Sequence, residues 1–214
     1  MLPSDLTKRM KRTFRLELGV PDRFSTATPI LVVTGKNAAG KSFLRRWFCM
    51  MLKDEKIEAI HLSQQGRASE GFVRAFVYGD ESDHSTGAIS AHTFIAGMNT
   101  SKNRTTPHVL IWDEPEIGMG DELQIGTADW LFSQLVVWPQ QLNGVILLTH
   151  SRYFVERAMM FPGAKFMNLD GHRTAKAWME RKIVPVSPTV LYDESFQKWR
   201  RLTGLINSSR KESV

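Results

Sequence analysis

The chain has 214 residues, 42% hydrophobic and 23% charged, which excludes a disordered or low-complexity protein and allows one full hydrophobic core. A single cysteine, Cys49, excludes a disulfide framework and a multi-cysteine zinc site, and points to a reducing, cytoplasmic setting. The net charge of +6 is uneven: residues 1–24 carry six cations and three acids, residues 171–214 nine and four, and the middle 13 and 15. Basic ends suit the phosphates of DNA or RNA, although solvated tails are the plainer reading. No apolar run approaches about 18 residues, so no membrane insertion is expected, and the N-terminus lacks the apolar core of a secretory signal.

Along the chain, Phe14–Leu18 alternates like a strand with one exposed face, and residues 21–29 form a loop. Ile30–Val33 is a short continuous apolar run of the kind a buried parallel strand requires, and a glycine-rich turn leads into a helix over Lys41–Lys53. A strand is expected at Ile57–Leu62, an antiparallel one at Phe72–Tyr78, and a helix at Ala88–Met98. Val109–Trp112 and Val145–Leu148 are further buried strands, separated by a helix over Glu122–Val137 that ends before Pro139. A helix over Arg152–Met160 stops at Pro162-Gly163, and Ala164–Leu169 is a last strand. Beyond Gly171 the pattern weakens, with a basic helix expected over Glu194–Ile206. Alternating strands and helices predict an α/β fold, a mainly parallel sheet flanked by helices with a small antiparallel part. The core is expected over 1–170, with a basic extension over 171–214 on or beside it.

Three segments carry chemistry. Gly35-Lys36-Asn37-Ala38-Ala39-Gly40-Lys41-Ser42 matches G-x-x-x-x-G-K-[ST] at every fixed position and lies between a buried strand and a helix. Its backbone N–H groups and the helix N-terminus suit phosphate oxygens, with Phe43 next in line. Lys41 is expected to reach the β- and γ-phosphates and the Ser42 hydroxyl to bind Mg²⁺. Asp113-Glu114-Pro115 ends a buried strand, where a carboxylate faces the ligand crevice. Asp113 there suits Mg²⁺, and Glu114 suits proton acceptance from an attacking water. Thr149-His150-Ser151 ends the next strand, where His150 can bond a γ-phosphate or orient water. Trp47-Phe48 and Met50-Met51 read as core. Trp178 and Trp199 lie among cations and suit either base stacking or a docking helix. Arg12, Phe14 and Phe24 precede the loop and are candidates to stack on a base, with core packing the commoner role for phenylalanine.

Together these segments resemble the ATP-binding-cassette (ABC) type of P-loop ATPase, and more narrowly its RecF/SMC/OLD-like branch. Asp113-Glu114-Pro115-Glu116-Ile117-Gly118-Met119 is similar to that branch's D-E-P-E segment, and Thr149-His150-Ser151 to its switch histidine. The resemblance implies ATP and Mg²⁺ as ligands, Asp113 on the metal, and Glu114 and His150 as catalytic residues. It places a Q-loop at Ser63-Gln64-Gln65, with Gln64 or Gln65 sensing the metal and γ-phosphate. The family's L-S-G-G-E-like signature is met only by His84-Ser85-Thr86-Gly87-Ala88, where Ser85 and Gly87 keep the small-residue spacing. In the family that loop caps the ATP of the opposite subunit, so the departure bears on an ATP-dependent homodimer. The interval from Gln64 to Ser85 leaves no room for a long coiled coil, and no appended nuclease domain is expected after the last strand. The expectation is a minimal ATPase head acting on a protein partner or a nucleic acid. The alternatives are a non-hydrolysing, nucleotide-gated interaction module and a transporter's ATPase subunit.

Overall fold

A computed structural model describes residues 29–63, 85–197 and Arg200. The strands expected at Phe14–Leu18 and Phe72–Tyr78, the glutamines Gln64 and Gln65, and most of both basic ends lie outside the described residues. So do Arg12, Phe14, Phe24 and Trp199. The chain divides into two compact units. One holds the sheet and comprises Thr26–Lys36 with Gly40–Arg181; the other comprises Met1–Ser25, Asn37–Ala39 and Lys182–Val214.

In the sheet unit the elements run β1 (Ile30–Thr34), α1 (Lys41–Asp54), β2 (Glu58–Ser63), α2 (Thr86–Lys102) and β3 (His108–Asp113). They continue as α3 (Asp121–Gln134), β4 (Leu142–Leu148), α4 (Arg152–Met159), β5 (Lys165–Asn168) and α5 (Ala175–Met179). The five strands are ordered β2-β3-β4-β1-β5, and every pairing is parallel. Parallel strands are buried on both faces, which explains why β1, β3 and β4 read as unbroken apolar runs. Val32, Leu110, Trp112, Val145 and Leu147 share a core with Phe94 and Met98 of α2, Leu131 of α3, Phe154 and Val155 of α4, and Trp178 of α5. On α1, Leu44, Trp47, Phe48, Met51 and Leu52 are buried, as their helical spacing predicts. No helix among the described residues is long and apolar enough to cross a membrane.

Register brings the functional ends level. Val33 and Asp113 both lie opposite Leu148, Ser63 lies opposite Asp113, and Thr34 opposite Asn168. The chain therefore turns off the sheet at one edge after β1, β3, β4 and β5. Because β4 lies between β1 and β3, whatever follows Leu148 stands between the glycine-rich loop and the acidic turn.

Several elements differ from expectation. α2 extends from Thr86 to Lys102: Ser85 caps its start by accepting from the Ala88 N–H, and in its polar last turn Ser101 is buried against His108. α5 falls where the pattern weakened, capped by Thr174. Trp178 on it is 1% exposed and packs on Phe166, with Arg181 over its ring at 4.0 Å. Trp178 is thus a core residue and not a base-stacking platform: its ring is spent on β5, and its nearby cation covers it. In the second unit a helix over residues 188–197 (α6) begins earlier than the expected Glu194. Pro188 takes its first position, and the Leu191 N–H donates to the Ser187 carbonyl.

Candidate functional site

The turn after β1 is built for close approach. Ala38 (φ 62°) and Gly40 (φ 107°) both have left-handed backbone, which at Gly40 carries no Cβ penalty. Gly40 precedes α1 and offers no side chain to cap it, and the first turn of α1 carries no acid. That helix end keeps its positive potential for an anion. By contrast α3 has Asp121 and Glu122 in its first turn, and α2 and α4 are capped by Ser85 and Ser151. Gly35 is buried and Lys36 exposed, and the Lys36 N–H donates to Asp170 Oδ2 at 2.6 Å, tying the loop to the turn after β5. Ser42 is exposed and Phe43 half-buried at the start of α1, whereas Asn37–Ala39 belong to the other unit.

Lys41 is 5% exposed, and its ammonium meets groups from three separate turns. It donates to the Gly35 carbonyl at 3.3 Å, and its Nζ lies 2.5 Å from His150 Nε2 and 3.4 Å from Glu114 Oε1. Burial lowers its pKa from the ordinary lysine value, against the pull of Glu114, Glu116 and Asp113. Glu114 Oε1 is also 3.2 Å from His150 Nε2. The hydrogen bond from His150 holds the Glu114 carboxyl below its ordinary range; burial opposes this and the Lys41 charge adds to it. A base held ionised beside a displaceable cation is poised to take a proton once that cation moves.

Glu114 has φ 53°, a left-handed conformation that costs a residue with a side chain about 1–3 kcal/mol. Its N–H still donates to the Leu148 carbonyl at 2.8 Å, so the ladder ends there and the chain breaks sharply. The Ile117 N–H donates to the Glu114 carbonyl and the Met119 N–H to that of Glu116, closing a tight turn completed by Gly118 at φ 78°. Strain and turn together aim Glu114 at Lys41 rather than along the strand.

Asp113 is 6% exposed. Its Oδ2 lies 3.1 Å from Arg45 and 3.7 Å from His61, and Arg45 also bonds His61 Nε2 at 2.7 Å. Arg45 sits one helical turn beyond Lys41, so α1 presents both cations to the acidic turn. Sequence reasoning missed Arg45 and His61, although the i, i+4 spacing of Lys41 and Arg45 was a usable signal. Asp113 and Ser42 offer the hard oxygen donors that Mg²⁺ takes with several waters, so the donor set fits that ion. Among the described residues there is no group of three or more His, Cys, Asp or Glu side chains that could hold a metal ion.

The structure therefore brings Lys41, Glu114 and His150 into one cluster, with Asp113 beside it on Arg45. Ser85 and Gly87 lie at the start of α2, and a Cβ on Gly87 would come within 2.9 Å of Leu123 and 3.4 Å of the Gly118 carbonyl. That end of α2 thus packs on the turn that follows Glu114, and Ser90 Oγ donates to the Ile117 carbonyl there. Gln64 lies outside the described residues.

No family model matches the chain, and no curated protein does. Among solved structures it is similar to C. elegans PCH-2, at 16% identity and a TM-score of 0.37, over 77% of this chain. The chain spans 41% of the length of that structure. The parallel five-stranded sheet, flanked by helices and with a glycine-rich loop between β1 and α1, is consistent with a P-loop NTPase-like fold.

Proposed function

We propose that the chain is an ATPase that binds ATP with Mg²⁺ at this sheet edge and hydrolyses it. The observation that carries the reading is the meeting of Lys41, Glu114 and His150 within 2.5–3.4 Å from the turns after β1, β3 and β4. A triphosphate seated on the loop gives Lys41 phosphate oxygens in place of Glu114 and His150. Glu114, released from the ammonium but still ionised, orients a water and takes its proton, while His150 is left facing the γ-phosphate. Asp113 and Ser42 are the residues that would hold Mg²⁺, which when bound offsets the charge of the triphosphate. Catalysis on this account is placement and charge stabilisation.

The finer reading is an ABC-type head of the RecF/SMC/OLD-like kind, supported by the D-E-P-E and T-H-S segments. Nucleotide-dependent pairing through Ser85 and Gly87 of a second copy, or action on a protein or nucleic-acid partner, belongs to the same proposal. A second reading, a nucleotide-gated module with negligible turnover, is favoured by the Arg45–Asp113 ion pair, which engages the carboxylate offered to the metal. Size analysis of Glu114→Gln with and without ATP and Mg²⁺, alongside phosphate release by the parent, tests both. Turnover in the parent and a nucleotide-dependent dimer of the variant support the ABC-type ATPase. Saturable binding without phosphate release supports the gated module, and no binding defeats both.

A further inference from the structure

The acidic segment contains another carboxylate to which neither the fold nor the proposed chemistry assigns a role. Glu116 lies in the tight turn after β3, and both of its oxygens are spent on the turn after β4. Oε2 accepts from Thr149 Oγ1 at 2.8 Å, and Oε1 accepts from the His150 backbone N–H at 2.6 Å. Thr149 Oγ1 in turn accepts from the Ser151 N–H at 3.0 Å, and Ser151 Oγ accepts from the Phe154 N–H at the head of α4. The Thr149 N–H donates to the Val33 carbonyl of β1. Every polar group of the Thr149-His150-Ser151 turn named here is therefore fixed, apart from the imidazole of His150, which projects to Lys41 and Glu114.

From this geometry we infer that Glu116 is a positioning residue: it clamps the β4 turn to the β3 turn and thereby sets the His150 imidazole against Lys41 and Glu114. The inference rests on the ATPase reading for its consequence, while the clamp itself is a matter of geometry. Two short bonds to a carboxylate, one from a backbone N–H, leave the turn little freedom to rotate. The clamp is made against a cost, since burial raises the Glu116 carboxyl above its ordinary range. A glutamine can keep the bond from the His150 N–H on its oxygen and replace the other with one of opposite direction, its amide donating to Thr149 Oγ1. An alanine keeps neither.

The test is a cycle of Glu116→Ala, His150→Ala and the double variant, each checked for folding by circular dichroism. Glu116→Ala is expected to lower kcat about 30-fold, within the range that misplacing a catalytic group costs, with the Kd for ATP unchanged. The double variant should be no slower than His150→Ala alone, because the clamp acts only through that ring. Glu116→Gln should stay within about threefold of the parent, since geometry rather than charge is required. Losses that multiply in the double variant, a parental kcat in folded Glu116→Ala, or a Glu116→Gln as slow as the alanine would each overturn the inference. If Glu116→Ala does not fold, Thr149→Val removes one of the two bonds and should show a smaller loss, again absorbed by His150→Ala. Nuclear magnetic resonance of the His150 ring separates this inference from the ATPase reading. Absent turnover in the parent defeats that reading alone, whereas ring signals unchanged by Glu116→Ala defeat the clamp.

Discussion

Two histidines stand at opposite ends of neighbouring strands, and their surroundings separate structure from chemistry. His108 begins β3 and is fully buried; its Nε2 pairs with Ser101 Oγ at 2.8 Å and its Nδ1 with the Thr106 carbonyl at 2.9 Å. Both partners are neutral, both ring nitrogens are used, and Ser101 is itself 1% exposed, so the group is closed. His150 follows β4, its side chain is 31% exposed, and its Nε2 lies between an ammonium and a carboxylate that are each other's partners. An arriving polyanion would take that ammonium, leaving His150 and Glu114 available. On the proposed reading, the partners of His150 are ones a bound nucleotide would replace, whereas those of His108 are not.

The comparison can be broken at several points. Glu114→Gln removes the proton acceptor and should cut phosphate release by about 10²–10⁴-fold while ATP still binds, read by a phosphate assay beside a binding titration. Parental turnover in that variant would remove Glu114 from the chemistry. His150→Ala should cost about 10²-fold in kcat, with thermal stability nearly unchanged. His108→Leu should do the reverse. Leaving Ser101 without its partner should cost about 1–3 kcal/mol in urea unfolding, with kcat per folded molecule retained. A variant at His108 that folds normally but loses turnover would erase the distinction.

Stability against pH sharpens the contrast within the acidic segment. Glu114 has a folded pKa below its unfolded value, so it contributes stability above the unfolded pKa that is lost as pH falls through the folded one. Glu116 has a folded pKa above its unfolded value, so its contribution is full below the unfolded pKa and lost as pH rises through the folded one. Relative to the parent, Glu116→Gln should therefore gain stability, and Glu114→Gln lose it, as pH rises from below the ordinary glutamate range to neutrality. Urea unfolding over that range checks the opposite slopes. The smallest effect is expected at the exposed pair of Arg104 and Glu58, beside β3's start, where Arg104→Ala should change stability by less than about 1 kcal/mol and turnover not at all.

The sequence made the sheet legible because β1, β3 and β4 are buried on both faces and read as uninterrupted apolar runs. The same strands end in the glycine-rich loop, Asp113-Glu114 and Thr149-His150, so parallel pairing alone carries Lys41, Glu114 and His150 to one edge. Contacts between turns were not legible. That Glu116 reaches Thr149 depends on the left-handed backbone at Glu114 and on the register of β3 with β4. Asp170 on the Lys36 N–H likewise depends on β5 lying beside β1. α5 was missed because five residues are too few to show a helical period. The start of α6 carries a local signal in Ser187-Pro188, a cap followed by a residue suited to the first turn, upstream of the expected Glu194.

The central claim is that Lys41 exchanges its partners on Glu114 and His150 for the phosphates of ATP. Calorimetric titration of the parent and of Lys41→Ala with ATP and Mg²⁺ tests it most directly. The account predicts saturable binding by the parent and an affinity for the alanine variant lower by at least about tenfold, the loss of one charge-assisted contact. Equal affinity in the two proteins, or no binding by the parent, would contradict it.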